Sequence, residues 1–151
     1  MLGHPVYSPW KGLQNVESAK PFISALRQGR FVLQVCARCA RSASPGRLRC
    51  EYCRSAGLVW RRAQGSGRIV AFTLYHRQYD HEYERKVPYD VVLVRLDCGV
   101  LLLGSVAGTA GQELVGSRVR LDLEASARGM PLKFLPVEES VSAETRAPSR
   151  A

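Results

Sequence analysis

The chain has 151 residues, which is enough for one domain or for a small domain with a smaller attachment. It is too short for a (β/α)8 barrel, which needs about 250 residues. Hydrophobic residues make up 46% and charged residues 23%, as in an ordinary globular protein. No apolar run reaches the roughly 18 residues of a transmembrane helix, and no secretory signal pattern opens the chain. We therefore expect a cytoplasmic protein that makes no membrane contact.

The positive charge is confined to the first half of the chain. The formal net charge is +9, and residues 1–64 carry 11 Lys and Arg against 2 acidic residues. Residues 65–151 carry 11 residues of each sign. Arg outnumbers Lys by 18 to 4, a bias that a GC-rich genome produces without any function. A basic half of this kind makes nucleic acid or an acidic surface a partner to consider.

The first thirty residues predict an extended arm followed by a short helix. Residues 1–16 contain Pro and Gly and show no periodicity. Ser18 or Glu17 near the N-cap, Pro21 in the first turn and Gly29 past the end predict a helix between them. A helix of two to three turns is marginal alone, so it must dock on another element. The apolar stripe available for docking consists of Phe22, Ile23 and Leu26.

Two C-x2-C pairs, ten residues apart, are the sharpest feature: Cys36 and Cys39, then Cys50 and Cys53. Four cysteines at this spacing fit a tetrahedral Zn²⁺ site between two knuckles. A redox site would need only one pair, and disulfides are disfavoured without a secretory signal. Four thiolates suit iron as well as zinc, so the ligands alone leave the metal open. With four protein ligands the site would be structural, and its thiolates and dication would add a local charge of about −2.

The residue after each cysteine pair is unusual for such a knuckle. Glycine usually follows the second cysteine, where the chain turns left-handed, but here these positions are Ala40 and Arg54. A non-glycine residue in the left-handed region costs roughly 1–2 kcal/mol. The sequence therefore predicts either slightly strained knuckles or knuckles of a different shape.

From residue 68 onward the pattern predicts β-structure. The predicted strands are 69–76, 89–96, 100–106, 117–124 and 130–137. Gly99, in the turn Asp97-Cys98-Gly99, supplies the positive φ that a tight hairpin needs. Continuous apolar runs over 91–94 and 100–103 predict strands covered on both faces, by the N-terminal helix and by a partner. The polar residues 138–151 predict a disordered tail.

This order of elements resembles the DUF35 family, which combines an N-terminal helix, a rubredoxin-like zinc ribbon and a five-stranded OB-fold barrel. The resemblance covers about residues 18–137. It rests on Pro21-Phe22 to Gly29, the two C-x2-C pairs, Gly65 to Thr73, Val87-Pro88-Tyr89, Asp97 to Val100, Leu114 to Val119 and Lys133 to Pro136. The departures are Ala40, Ser44-Pro45-Gly46-Arg47, and Cys98 in place of a usual acidic residue. The resemblance implies a mainly β chain, with arm and helix over 1–30, zinc ribbon over 31–62, OB-fold over 63–137 and tail over 138–151.

The same resemblance implies a role as a small partner subunit. Proteins similar to this chain assist thiolase-fold acyl-CoA enzymes, and the thiolase-fold subunit holds the catalytic residues. The resemblance therefore implies a structural zinc, a thiolase-fold partner subunit, and a CoA thioester as the substrate of the complex. Aromatic and basic residues are the candidate contacts with the partner or the acyl-CoA. They are Tyr7, Trp10, His76, Arg77, Tyr79 and Tyr83.

Two other classes of function fit less well. A zinc-ribbon and OB-fold protein that binds nucleic acid needs a stacking platform, but the second and third predicted strands offer one aromatic residue, Tyr89. A small enzyme that uses Cys98 or His76 needs an acid, a base and a nucleophile at a usable spacing, and the pattern offers none. We therefore expect a chain that is inactive alone and binds nucleic acid only weakly.

Overall fold

The computed structural model describes residues 16–77, 87–106, 112–129 and 131–138. Within these ranges the chain is mainly β, with an N-terminal helix, a three-stranded sheet and a closed five-stranded barrel. The predicted arm up to residue 15 and the predicted tail from residue 139 lie outside the described ranges. None of the described helices is long and apolar enough to cross a bilayer.

The N-terminal helix forms where it is predicted but is capped differently. A 3-10 turn, Glu17–Ala19, leads into α1, Lys20–Arg27, and Gly29 follows it with a φ of 67°. The predicted N-cap is wrong, because no described side chain caps the helix. The Ser18 hydroxyl instead donates a hydrogen bond to the Gly46 carbonyl oxygen at 2.7 Å. This bond ties the start of the helix to the loop between the two cysteine pairs.

The ribbon is an antiparallel sheet in the order β2-β1-β3. Its strands are β1 Val32–Cys36, β2 Ser42–Ala43 and β3 Leu58–Arg62. The sequence analysis does not predict β2, because two residues show no periodicity. The buried Gln34 side chain holds the loop that follows β2: its amide donates to the Arg47 carbonyl oxygen and its Oε1 accepts from the Arg47 N–H, both at 2.9 Å.

The remaining strands close into a barrel in the order β4-β5-β6-β8-β7, as in an OB-fold. They are β4 Ser66–Tyr75, β5 Tyr89–Leu96, β6 Leu101–Val106, β7 Arg118–Leu121 and β8 Leu132–Pro136, with a 3-10 turn Gln112–Leu114 before β7. A register shift between Ile69 and Ala71 bends β4, and a parallel pairing of β6 with β8 completes the closure. The β5–β6 hairpin turns at Gly99 with a φ of 91°, as predicted.

Residues 117–124 do not form one strand, although their alternation predicts it. Strand β7 ends at Leu121, and a second helix, α2, spans Leu123–Ala127. The Asp122 carboxylate accepts a hydrogen bond from the Ala125 N–H at 3.0 Å, and so it caps this helix. The alternation is therefore real only up to Leu121, and the aspartate after it starts a helix.

One hydrophobic core joins the helix, the base of the ribbon and the barrel. The Phe22 and Phe31 rings meet edge to face, with their centroids 6.1 Å apart. The same buried cluster includes Leu33 of the ribbon and Ile69 and Phe134 of the barrel. The three parts of the chain therefore share their apolar interior.

Helix α1 does not cover the outward side chains of β5 and β6, which corrects one part of the sequence-based expectation, whereas a partner as the cover stays a prediction. Burial alternates along β5, and two leucines of β6, Leu101 and Leu103, are 42% and 37% exposed. Helix α1 packs instead against β1 and α2. The inward side chains of these runs line the barrel interior. The outward side chains are apolar too, but they form a partly exposed surface.

Gly104→Ala is expected to destabilise the barrel. A Cβ at Gly104 would lie 2.5 Å from Cε2 of the Phe134 ring and 2.8 Å from the Leu132 carbonyl oxygen. Phe134 is fully buried, so its ring has little room to move. We expect the free energy of unfolding to fall by about 1–3 kcal/mol, measured by denaturant titration followed by circular dichroism.

The matched control is Gly57→Ala in the ribbon. Its nearest neighbour would be the flexible Ser55 hydroxyl at 3.3 Å, so we expect a change within about 0.5 kcal/mol. Equal losses in the two variants would contradict the close packing described for Gly104.

Candidate functional site

The two cysteine pairs form knuckles with the same backbone geometry. In the first knuckle, the Ala40 N–H donates to the Cys36 carbonyl oxygen at 2.8 Å, and the Cys36 N–H donates to the Arg41 carbonyl oxygen at 2.9 Å. The second knuckle repeats both hydrogen bonds, at 3.0 and 2.8 Å, between the equivalent residues Cys50, Arg54 and Ser55. Equivalent bonds in each knuckle orient both pairs of thiols toward a shared centre.

The residue after each pair adopts the left-handed conformation despite its side chain. The backbone φ is 61° at both Ala40 and Arg54. The knuckles therefore keep the usual shape, and of the two predicted alternatives the strained one is found. The strain is about 1–2 kcal/mol at each position, before any relief from contacts in the knuckle.

Four thiol groups meet between the knuckles. The sulfur atoms of Cys36 and Cys53 are 3.5 Å apart, and those of Cys39 and Cys50 are 3.6 Å apart. All four lie within 4.8 Å of one another, and no disulfide joins them. In a tetrahedral site with metal–sulfur bonds of about 2.3 Å, neighbouring sulfurs lie ~3.8 Å apart. The four side chains therefore have the donor type and the spacing to hold a metal ion.

The backbone of the knuckles favours ionised thiols. A hydrogen bond from the Cys39 N–H lowers the pKa of the Cys36 thiol to about 6, against the effect of burial. The Cys53 N–H likewise lowers the pKa of the Cys50 thiol. The Arg41 N–H also lowers the pKa of the Cys39 thiol, but burial and the neighbouring sulfurs together outweigh this hydrogen bond and raise that pKa to about 11. A bound cation relieves this conflict, because a metal-bound cysteine is a thiolate.

The site is closed rather than open to a reacting molecule. Cys36 and Cys50 are buried, and the other two cysteines are partly buried. The Arg41 guanidinium lies over the Tyr52 ring, 4.5 Å from its centroid, and so links the two knuckles. Four protein ligands leave no coordination position for a substrate. This arrangement suits a structural metal centre.

Two of the predicted contact residues, His76 and Arg77, are described and are not part of this site. His76 and Arg77 are exposed and directly follow the end of β4. The predicted anchors Tyr7, Trp10, Tyr79 and Tyr83 lie outside the described residues, so their contacts stay predictions. Cys98 is exposed in the β5–β6 turn and is not part of the four-cysteine cluster.

The sequence analysis misses a buried polar cluster in the barrel. Asp90 on β5 accepts hydrogen bonds from the Ser105 hydroxyl at 2.8 Å and from the Val106 N–H at 2.6 Å. The Lys133 ammonium of β8 lies 3.4 Å from the Ser105 oxygen. The signal in the sequence is an aspartate at an inward position of a valine-rich strand. Because these contacts join β5, β6 and β8, the cluster stabilises the barrel.

The sequence and the fold match proteins of one family. The family described as "ChsH2, C-terminal OB-fold domain" matches residues 60–124. The solved structure "Ltp2-ChsH2(DUF35) aldolase" superimposes with a TM-score of 0.67 and 27% identity, covering 88% of this chain and 98% of that chain. These matches support the DUF35 assignment made from the sequence motifs.

Two further proteins are similar to this chain. A DUF35 protein of unknown function from Sulfolobus solfataricus superimposes with a TM-score of 0.56 and 19% identity. The match covers 80% of this chain and 86% of that chain, and at this identity it shows a similar fold alone. A "Probable enoyl-CoA hydratase alpha subunit" of Thermomonospora curvata is 32% identical over 118 residues, which are 77% of this chain and 35% of that protein. The chain thus spans about a third of the length of this curated relative.

Ala40→Gly is expected to stabilise the ribbon. Glycine adopts the left-handed φ at Ala40 without strain, which removes about 1–2 kcal/mol, but it adds about 0.4–1 kcal/mol of chain entropy to the unfolded state. We therefore expect a net gain of about 0.5–1 kcal/mol in the free energy of unfolding, measured by denaturant titration.

Ala56→Gly, in the loop between the second knuckle and β3, is the control. Ala56 is exposed and is not among the residues with positive φ, so only the entropic loss of about 0.4–1 kcal/mol remains. Opposite signs for the two variants support the strain at Ala40, whereas a loss of stability in both would contradict it.

Proposed function

We propose that this chain is a non-catalytic, zinc-binding subunit that binds and stabilises a thiolase-fold acyl-CoA enzyme and helps to shape its acyl-CoA site. One observation carries the proposal: the chain covers 98% of a chain of the Ltp2-ChsH2(DUF35) aldolase. A relative named as the alpha subunit of an enoyl-CoA hydratase also supports a subunit role in acyl-CoA chemistry. The thiolase fold of the partner is inferred from the family resemblance of the motifs.

The placement of nucleophilic side chains supports the proposal that the partner subunit, and not this chain, carries the catalytic groups. Four of the five cysteines point into the closed cluster, and the fifth, Cys98, lies in an exposed turn. His76, the histidine within the described ranges, is exposed beyond the end of β4. The part of the chain that the structure describes therefore offers no pocketed acid, base and nucleophile. Catalytic groups are assigned to the partner.

The proposed metal is one structural Zn²⁺ held by the four-cysteine cluster: Cys36, Cys39, Cys50 and Cys53. Zinc prefers four tetrahedral thiolates at structural sites and takes part in no redox chemistry. When bound, it supplies folding free energy to the ribbon, whose β2 has only two residues. In the proposed complex the zinc fixes the ribbon, and the chain's own side chains make the contacts with the partner.

Removing one ligand is expected to release the metal. In Cys39→Ser the thiolate is replaced by a weak hydroxyl ligand, so we expect zinc to fall from about one ion per chain to near zero. Elemental analysis of the dialysed protein measures the metal, and circular dichroism measures the accompanying loss of ribbon structure. One equivalent of iron in the wild-type protein would contradict the choice of zinc.

Cys98→Ser is the matched control, because it removes an exposed thiol outside the cluster. It is expected to keep full zinc content and stability. Stoichiometric zinc in the Cys39 variant would contradict the assignment of the cluster as the metal site.

Co-expression tests the subunit role. The chain is produced with a candidate thiolase-fold protein chosen from the genes that neighbour its own, and the two are expected to elute together in size-exclusion chromatography. Acyl-CoA cleavage or acyl transfer is expected from the complex and not from this chain alone. If the chain elutes separately, or turns over the CoA thioester without a partner, the proposal fails.

A further inference from the structure

The two knuckles have equivalent backbones but different side chains at two matched positions. Arg41 and Ser55 are equivalent, because the carbonyl oxygen of each accepts a hydrogen bond from the first cysteine N–H of its own pair, at 2.9 and 2.8 Å. Arg38 and Tyr52 are equivalent too, because each directly precedes the second cysteine of its pair. The first knuckle therefore has two arginines where the second has a tyrosine and a serine.

A contact between the knuckles joins these matched positions. The Arg41 guanidinium of the first knuckle lies 4.5 Å from the centroid of the Tyr52 ring of the second, within the range of a cation–π interaction. The corresponding pair, with the knuckles exchanged, is Ser55 and Arg38, and it has no aromatic ring. The Ser55 hydroxyl instead accepts a hydrogen bond from the Gly57 N–H at 3.1 Å. The matched positions therefore supply one such contact and not two.

This contact adjoins, in sequence, the two more accessible ligands of the four-cysteine cluster. Cys39 and Cys53 are partly buried, whereas the other two cysteines of the cluster are buried. Tyr52 directly precedes Cys53, and Arg41 is the second residue after Cys39. The Arg41 N–H also donates a hydrogen bond to the Cys39 thiol. A competing ligand in solution therefore meets the cluster first at the two cysteines that adjoin the contact.

We propose that Arg41 and Tyr52 form a clasp that slows the release of the metal ion held by the four-cysteine cluster. The proposal rests on the zinc site proposed above and adds two positioning residues outside the set of ligands. Cys39 and Cys53 belong to different knuckles, so an opening that frees either sulfur moves one knuckle away from the other. The clasp spans the two knuckles, and this motion breaks it.

The clasp is expected to change the rate of metal release by a moderate factor. Tyr52 is 49% exposed and Arg41 is exposed, so water weakens the contact. A cation–π contact at an exposed site corresponds to about a two- to fivefold change in a rate constant. Because both side chains lie at the surface, their replacement is not expected to unfold the metal-loaded ribbon.

Replacing the ring tests the clasp, with Zn²⁺ itself as the probe. Each variant is loaded to one ion per chain, checked by elemental analysis, and the transfer of zinc to an excess of a chromophoric chelator is followed over time. Tyr52→Leu removes the ring and is expected to release zinc about two to five times faster than the wild type. Tyr52→Phe keeps a ring and is expected to stay within about twofold of the wild-type rate. Wild-type release from Tyr52→Leu would overturn the proposal.

A double-mutant cycle shows whether the two side chains act through one contact. Arg41→Gln removes the cation and is expected to accelerate release as much as Tyr52→Leu does. If the contact is shared, the double variant releases zinc about as fast as either single variant. Accelerations that multiply in the double variant would mean that the two residues act independently, and this would overturn the clasp.

Arg38→Gln is the matched control, because it removes the same charge from the exposed position equivalent to Tyr52. It leaves the clasp intact, so the release rate is expected to stay within about twofold of the wild-type value. Equal acceleration in Arg38→Gln and Arg41→Gln would assign the effect to the loss of positive charge beside the thiolates, and the clasp would be wrong.

The failure of this inference is distinguishable from the failure of the proposed zinc site. If the wild-type chain holds no zinc, the proposed metal site is wrong and the clasp fails with it. If the wild type holds one zinc ion per chain but Tyr52→Leu and Arg41→Gln both release it at the wild-type rate, only the clasp is wrong.

Discussion

The packing of Phe22 against Phe31 is the contact on which the arrangement of the chain depends. Helix α1 has eight residues, too few for a stable isolated helix, and the ribbon contains a strand of two residues. Neither part is expected to persist without a shared interior. Both enter the core that Ile69 and Phe134 of the barrel complete. The position of the four-cysteine cluster relative to the barrel is therefore set by aromatic packing, not by the cysteines.

Features that arise from neighbouring residues could be predicted from the sequence. The two C-x2-C pairs predicted a four-cysteine cluster, because a knuckle is a local structure. The sequence left open whether Ala40 and Arg54 are strained or the knuckles differ in shape, and the structure shows left-handed backbone at both. The strands of the barrel follow local alternation and were placed within a few residues. Strand β2 exists only through its pairing with β1, and α2 begins because Asp122 caps it. Neither has a periodic pattern of its own.

Features that depend on strand register could not be predicted in this way. Asp90 is stabilised by Ser105 and Val106, fifteen and sixteen residues away in sequence. Arg68 of β4 pairs with Arg118 of β7 and with Arg95 of β5, although Arg68 and Arg118 are separated by 50 positions in the sequence. A sequence shows the type of each side chain, but the pairing of strands decides which side chains face each other.

The net charge of each half of the sequence does not show which charged side chains lie together in the folded chain. Residues 65–151 carry equal numbers of basic and acidic residues, so composition directs attention to the basic ribbon. The barrel nevertheless brings three arginines of this half together, because Arg68 of β4 pairs with Arg118 of β7 and with Arg95 of β5. Charges on a surface act over about 8–10 Å at physiological salt, so neighbours in space, and not totals along the chain, decide which charges interact. Strand pairing therefore places charged side chains together in a way that the composition of either half does not reveal.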